Sequence, residues 1–261
     1  MCPFGRSIVN GTGSFFEVGR MVAHVLLIEG EDGLVAVDTG VGLDDCREGA
    51  ARLGHGFMAF ARPTLDPAET LLRQVERLGF RASDVKHILP THLDVDHAGG
   101  LPDFPEATVH ILEAEKTAAI ERRTLPERLR YRPAQLAHGP RWKVYEPGGE
   151  RWMGLSSVRA LSDDVVLVPT YGHTRGHACV AVRAGEKWLL HCGDAYFFHG
   201  EMQPEPTCPP ALRFFQGHVA IDDRARLENQ ARLRTLHAER KADVELFSAH
   251  CIVEFARYQA S

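Results

Sequence analysis

The chain has 261 residues, a formal charge of −5, 44% hydrophobic and 25% charged residues, which suits one large α/β domain with a real core, taken as a single domain over residues 1–261. The acidic balance argues against a nucleic-acid or anionic-membrane partner, since either favours a basic patch. No apolar run approaches the length of about eighteen residues that a spanning helix needs, and the start at Met1 carries no leader pattern, so a cytoplasmic location is expected.

Met21 to Glu29 is rich in apolar and β-branched residues and predicts a strand. A turn at Glu31-Asp32-Gly33 leads into a second strand, Leu34 to Val37, which ends in Asp38-Thr39-Gly40. Residues 41–65 look irregular. Asp66-Pro67-Ala68-Glu69 announces a helix, with Leu71, Leu72, Val75 and Leu78 inward and Gly79 as its stop. Val85 to Leu89 and Thr108 to Leu112 predict short strands. Residues 114–145 are polar and helical in character, and the arginines at 122, 123, 128, 130 and 132 suggest a solvated face. Strands resume at Val158–Leu161, Val165–Val168, Cys179–Val182 and Trp188–His191. Residues 197–218 suggest a loop, Arg224 to Lys241 a helix with Leu227, Ala231, Leu233 and Leu236 inward, and Leu246 to His250 a last strand. The six cysteines are scattered without a CxxC pair and suggest reduced, buried thiols.

The densest chemistry lies in Thr91-His-Leu-Asp-Val-Asp-His-Ala-Gly-Gly100. His92, Asp94, Asp96 and His97 are four potential ligands within six residues. In an extended segment alternate side chains share a face, so His92, Asp94 and Asp96 can project together, with His97 joining at a turn. Mixed imidazole and carboxylate donors suit Zn, Fe or Mn. Three later segments put similar groups at strand ends: Gly172-His173-Thr174-Arg175-Gly176-His177, Gly193-Asp194, and Ser248-Ala249-His250.

Taken in order, Asp38-Thr-Gly, the HxDxDH run, Gly-His173-Thr-x-Gly-His, Gly-Asp194 and the late His250 resemble the metallo-β-lactamase-fold superfamily of metallohydrolases. The resemblance covers roughly residues 20–255. It implies a four-layer αββα sandwich with the site at one edge. It also implies two divalent metals, zinc first, with manganese or iron as alternatives. One would be held by His92, His173 and Asp94, the other by Asp96, His97 and His250, with Asp194 bridging; His177 would pack and hydrogen-bond rather than ligate. Most members carry His where this chain has Asp94; the Asp either ligates as a shorter, harder and charged donor that favours harder ions, or does not ligate and leaves the first position weak or empty. Asp38 has two readings, turn chemistry or an acceptor that orients a ligand, and the resemblance favours the second.

The resemblance is strongest to the lactonase-type members, so the expected activity is opening of a small lactone or carboxylic ester by water activated between two metals. Asp96 would ligate and relay a proton. Tyr196 is a candidate donor to a developing oxyanion, with a core or lid aromatic as the alternative. A small-substrate phosphodiesterase stays open, as does an iron-binding redox or binding protein that has lost full hydrolase activity. The aromatic residues Phe57, Phe60, Phe197, Phe198, Phe214 and Phe215 fit an apolar small-molecule substrate or a homodimer contact equally well.

Overall fold

A run of buried residues on consecutive positions needs cover on both faces of a strand, and Leu34 to Val37 is such a run. It forms β2 (Gly33–Val37), paired antiparallel with β1 (Leu26–Gly30) through the predicted hairpin. β2 continues in parallel to β3 (Val85–Leu89), and β3 in parallel to β4 (Thr108–Leu112). A strand that the sequence did not announce, β5 (Arg141–Tyr145), completes the order β1-β2-β3-β4-β5. Because β2 and β3 run in parallel, Asp38 and Thr91, just past their C-terminal ends, emerge at one edge of this sheet.

The computed structural model describes residues 1–259. They fall into two compact units, one of residues 23–144 with Met1, the other of residues 2–22 and the chain from Tyr145 on. The first unit is built on the five-stranded sheet above, with Ala36, Ile88, Val109 and Ile111 in its core against Leu71, Val75 and Leu101.

The helix announced at Asp66 starts later than expected. Asp66 caps a single 3₁₀ turn, Pro67–Glu69, and Thr70 then caps the α-helix Leu71–Arg77. Two caps in series move the start, and Leu78 becomes the terminal cap residue, 64% exposed rather than inward. Residues 41–65 also depart from expectation: they hold three short helices, Leu43–Glu48, Ala50–Leu53 and His55–Ala61. Helices of one or two turns are too short to show an apolar period, and each here follows a glycine.

The second unit contains β8 (Val158–Ser162), β9 (Val165–Pro169), β10 (Ala178–Ala184), β11 (Lys187–His191) and β12 (Val244–Phe247), preceded by a two-stranded hairpin, β6 (Arg151–Trp152) and β7 (Leu155–Ser156). The sheet order is β12-β11-β10-β9-β8; β8 to β11 meander antiparallel and β12 joins β11 in parallel. Val166, Val168, Ala181, Leu190 and Leu246 form its core with Leu233 and Leu236.

Leu233 and Leu236 come from the helix Asp223–Glu239, whose buried face is otherwise Arg226, Asn229 and Gln230, while Leu227 and Ala231 are exposed. The expectation of an apolar stripe through Leu227 and Ala231 fails because the inward face meets polar groups. Gln230 Nε2 donates to Glu201, Arg226 Nη1 to the Gln216 side chain, and Asn229 Nδ2 to the Tyr171 carbonyl. Residues 197–218 are likewise not a plain loop: they hold a 3₁₀ turn, His199–Met202, and a helix, Pro210–Val219. Among the described residues no helix is long and apolar enough to cross a membrane.

One buried ion pair ties down the short helices of the first unit. Asp45 is fully buried, and its Oδ1 accepts from Arg52 Nε and from Gln135 Nε2, each at 2.8 Å, while Oδ2 accepts from the Gly42 amide at 2.9 Å. Burial pushes the Asp45 carboxyl up, and these donors oppose it. Arg52→Ala leaves that charge buried without its ion partner, so a loss of about 3–5 kcal/mol is expected in urea unfolding. A loss under about 1 kcal/mol would show that Gln135 and Gly42 suffice.

Candidate metal centre

In the first unit the site grows from Asp38. This residue sits in the left-handed region at φ 58°, unusual for a side chain other than glycine, and is 1% exposed. Its Oδ1 accepts from the Thr91 amide at 2.6 Å, and its Oδ2 lies 3.0 Å from the Thr91 hydroxyl and 2.8 Å from His97 Nδ1. Since a carboxylate only accepts, His97 Nδ1 carries the proton, and its Nε2 lone pair points away. The Thr91 hydroxyl spends its own proton on Asp38, so it accepts from His92 Nδ1 at 3.0 Å. One carboxylate therefore fixes both imidazoles in the same tautomer, which is the second of the two readings of Asp38.

The HxDxDH run reaches its place by a route other than strand alternation. Asp94 is the N-cap of a single helical turn, Val95–Ala98, whose His97 and Ala98 amides donate to the Asp94 carbonyl. The turn is what gathers Asp96 and His97; Asp94 closes it through its carbonyl, and its side chain makes no capping bond. Gly99 lets the chain leave it at close quarters: a Cβ there would overlap the Asp45 carboxylate. His92, Asp96 and His97 are buried, and His92 Nε2 lies 3.4 Å from Asp94 Oδ2, His97 Nε2 4.0 Å from Asp96 Oδ2.

Asp94 has a partner that the sequence did not suggest. Arg130 Nη1 lies 2.6 Å from Asp94 Oδ2, with side chains 11% and 18% exposed. Arg130 thus departs from the solvated face expected of the arginine run. No sequence signal marked it, since its neighbours Arg123 and Arg128 are exposed.

The second unit supplies His173, Asp194 and His250. Asp194 Oδ2 lies 3.2 Å from His173 Nε2 and its Oδ1 3.0 Å from His250 Nε2, all three side chains being nearly buried. His250 Nδ1 donates to the Val22 carbonyl at 2.8 Å, so the nitrogen facing Asp194 is again Nε2 with its lone pair. His177 Nε2 accepts the Asp194 amide at 3.0 Å and its Nδ1 faces the Thr170 carbonyl at 3.1 Å. Both its ring nitrogens serve the protein, which matches the packing role expected of it. Gly172, ahead of His173, is required because a Cβ there would overlap the Arg226 backbone.

Taken unit by unit, these donors fit a divalent cation. Neutral imidazole lone pairs facing carboxylate oxygens at close range repel one another unless a cation or a proton intervenes. Second nitrogens held by carboxylate, hydroxyl or carbonyl are the usual support of metal-ligating histidines.

Tyr196 is placed otherwise than an oxyanion donor would be. It is fully buried in the core of the second unit, and its hydroxyl donates to both oxygens of Glu254, at 3.1 and 3.2 Å. The alternative reading, a core aromatic, describes this placement. Glu254 also accepts the Ser248 amide at 2.8 Å, and burial holds its carboxyl up at about 7.

The metallo-beta-lactamase superfamily model matches residues 18–250. A "probable metallo-hydrolase" of Mycobacterium tuberculosis is 45% identical over 243 residues, covering 92% of this chain and 77% of the relative. An N-acyl homoserine lactonase of Bacillus cereus is 26% identical over 191 residues, covering 72% and 69%. Among solved structures, an N-acyl homoserine lactone hydrolase with N-hexanoyl-L-homoserine at its catalytic metal centre superposes with a TM-score of 0.73 at 20% identity, covering 98% of this chain and 92% of that one. That likeness establishes the fold.

Two outcomes follow from the Tyr196–Glu254 pair. Tyr196→Phe is expected to lower stability by about 1–3 kcal/mol, because a buried carboxylate loses its donor, while any turnover stays within about twofold. A tenfold loss of turnover at unchanged stability would restore the oxyanion role. Because the native state holds the Glu254 proton to about 7, against 4.5 for the ordinary group, its stabilising contribution is in place at low pH and is lost as pH rises through that window. The melting temperature of Glu254→Gln should therefore gain on that of the wild-type protein between about pH 5 and about pH 8; parallel profiles would contradict this.

Proposed function

The chain belongs to the metallo-beta-lactamase superfamily, and from that premise we propose that it is a metal-dependent hydrolase that opens a small lactone or carboxylic ester. His92, Asp94 and His173 would hold one divalent ion, Asp96, His97 and His250 a second, with Asp194 shared between them. When bound, such ions supply Lewis acidity toward a carbonyl oxygen and water that ionises near neutral pH. Zinc is the first choice for imidazole-rich donors, with manganese or iron favoured to the extent that Asp94 ligates. Family membership supports the hydrolase; the relatives described as N-acyl homoserine lactonases, and a solved neighbour described as a dizinc lactonase, support the bond and the metal.

The observation that carries the reading is the tautomer lock on the imidazoles. His92 and His97, through Thr91 and Asp38, and His250, through the Val22 carbonyl, all keep Nε2 as the donor. Asp96 is the residue that would take a proton from the attacking water at its carboxylate and pass it to the leaving alkoxide. The water oxygen would bond to the acyl carbon as the acyl C–O bond breaks, and the proton held by Asp96 would go to the departing alkoxide, which leaves a hydroxy acid from a lactone, or an acid and an alcohol from an ester.

The second unit offers room for an apolar part of the substrate. A cavity of about 300 Å³ is lined by Val9, Met21, Phe197, Phe198, Leu212 and His250, among others. Its apolar wall suits an acyl chain or ring, and His250 is one of the proposed ligands. In this reading the substrate is a small molecule whose apolar part lies against that wall.

Elemental analysis of protein purified without added metal, with a lactone, ester and phosphodiester panel on the same sample, tests this. About two metals per chain with lactone or ester turnover is expected. Turnover of phosphodiesters alone would favour the phosphodiesterase, and oxygen or peroxide turnover with bound iron the redox reading. Asp38→Asn should weaken metal retention by about tenfold to hundredfold, since it disturbs both imidazole tautomers at once.

A further inference from the structure

Arg130 lies outside the motif residues, yet it touches one of them. It ends the helix Leu125–Arg130, which begins with a capping box between Thr124 and Glu127. The next residue, Tyr131, is buried and donates to Glu115, whose carboxylate also accepts the Leu93 amide at 2.9 Å. The backbone around Arg130 is thus fixed on the helix side and on the side of Leu93. From there its guanidinium meets Asp94 Oδ2 at 2.6 Å, and the same oxygen lies 3.4 Å from His92 Nε2.

One carboxylate oxygen therefore faces a guanidinium on one side and an imidazole on the other. A guanidinium held here would repel a cation at His92 were it not paired, and a lone carboxylate would attract one strongly. We propose that Arg130 is a positioning residue that sets the charge of the metal position built on His92 and Asp94. The pair carries no net charge, so Asp94 offers a cation an oxygen donor of fixed orientation with the charge of a neutral ligand. The short, largely buried pair also restrains how the carboxylate can turn toward an ion.

This inference rests on the proposed metal centre and is separable from it. The experiment uses zinc as the probe, its affinity measured by competition with a chromophoric chelator, and melting temperatures with and without zinc. The variants are Asp94→His, Arg130→Met and the two together. Asp94→His keeps a ligand but strands the guanidinium, so zinc affinity at this position should fall by about a hundredfold, the size of one unit charge a few ångströms away in a partly buried site. Arg130→Met strands the carboxylate: the zinc-free protein should melt lower than wild type, and zinc should raise its melting temperature by more. The double variant has neither stranded charge and should return to within about tenfold of wild-type affinity. If Asp94→His does not fold, the two remaining variants carry the test: Arg130→Met should bind zinc more tightly than wild type, and the double variant should return to within about tenfold of it, whereas wild-type affinity in Arg130→Met would overturn the proposal.

Equal weakening in Asp94→His and in the double variant would overturn the proposal. So would an Arg130→Met protein whose zinc-free and zinc-loaded forms lose the same number of degrees, which is what a purely structural arginine gives. A wild-type chain that binds no zinc, manganese or iron would overturn the metal centre itself, and this inference with it.

Discussion

The carboxylate of Asp38 is the constraint from which the first unit's cluster of candidate ligands is built. It stands where β2 ends, in a backbone conformation that side chains rarely adopt, and it holds three donors from the chain that follows β3. The parallel pairing of β2 with β3 is what makes this reach possible, because it sets both strand ends at one edge. The hydrogen bonds of Asp38 in turn decide which nitrogen of His92 and of His97 is available. A backbone held at positive φ costs on the order of 1–3 kcal/mol, so the surrounding sheet must fix it firmly. The parallel core of Ala36, Val37, Ile88 and Leu89, all fully buried, does so.

A second theme is how much charge the molecule buries and how completely it is matched. Asp45 with Arg52, Asp94 with Arg130, and Glu201 with Gln216, Gln230 and the Phe197 and Phe198 amides are three such knots. Each holds a segment without a long apolar stripe of its own: the short helices after β2, the entry to the HxDxDH turn, and the aromatic segment after Asp194. Buried polar networks stabilise only when every member is satisfied, but they specify one arrangement where apolar packing would tolerate several. The entry to the HxDxDH turn is held in that way.

That theme also explains what the sequence could and could not reveal. The strands from Leu34, Val85, Thr108, Val165, Cys179 and Trp188 are legible because their residues are apolar and β-branched, and the candidate ligand motifs stand out because their spacing is short and their order distinctive. The helix from Asp223 was found but turned the wrong way, since Arg226, Asn229 and Gln230 face inward and Leu227 outward. An apolar-in rule cannot see a buried polar face whose partners lie many residues away in sequence. Arg130 was hidden for the same reason: it is 36 residues from Asp94 and sits among exposed arginines. Tyr196 stood close enough to Asp194 to suggest chemistry, and only the distant Glu254 shows where its hydroxyl goes.

In the second unit, ligand orientation and cavity wall come from one segment. The residues before β1 supply the Val22 carbonyl that sets the His250 tautomer, and Val9 and Met21 of that segment line the cavity that His250 also borders. On its other side His250 follows Ser248, whose hydroxyl accepts the His250 amide at 3.1 Å and whose own amide is held by Glu254. His250 is thus fixed between the start of the chain and its last helix, Ile252–Gln259. A substitution in the early segment that shifts Val22 would alter a proposed metal ligand and the apolar wall together. Cavity shape and the geometry of the His250 donor are therefore not independent variables in this chain, and changes in what it accepts are expected to carry changes in how it holds metal.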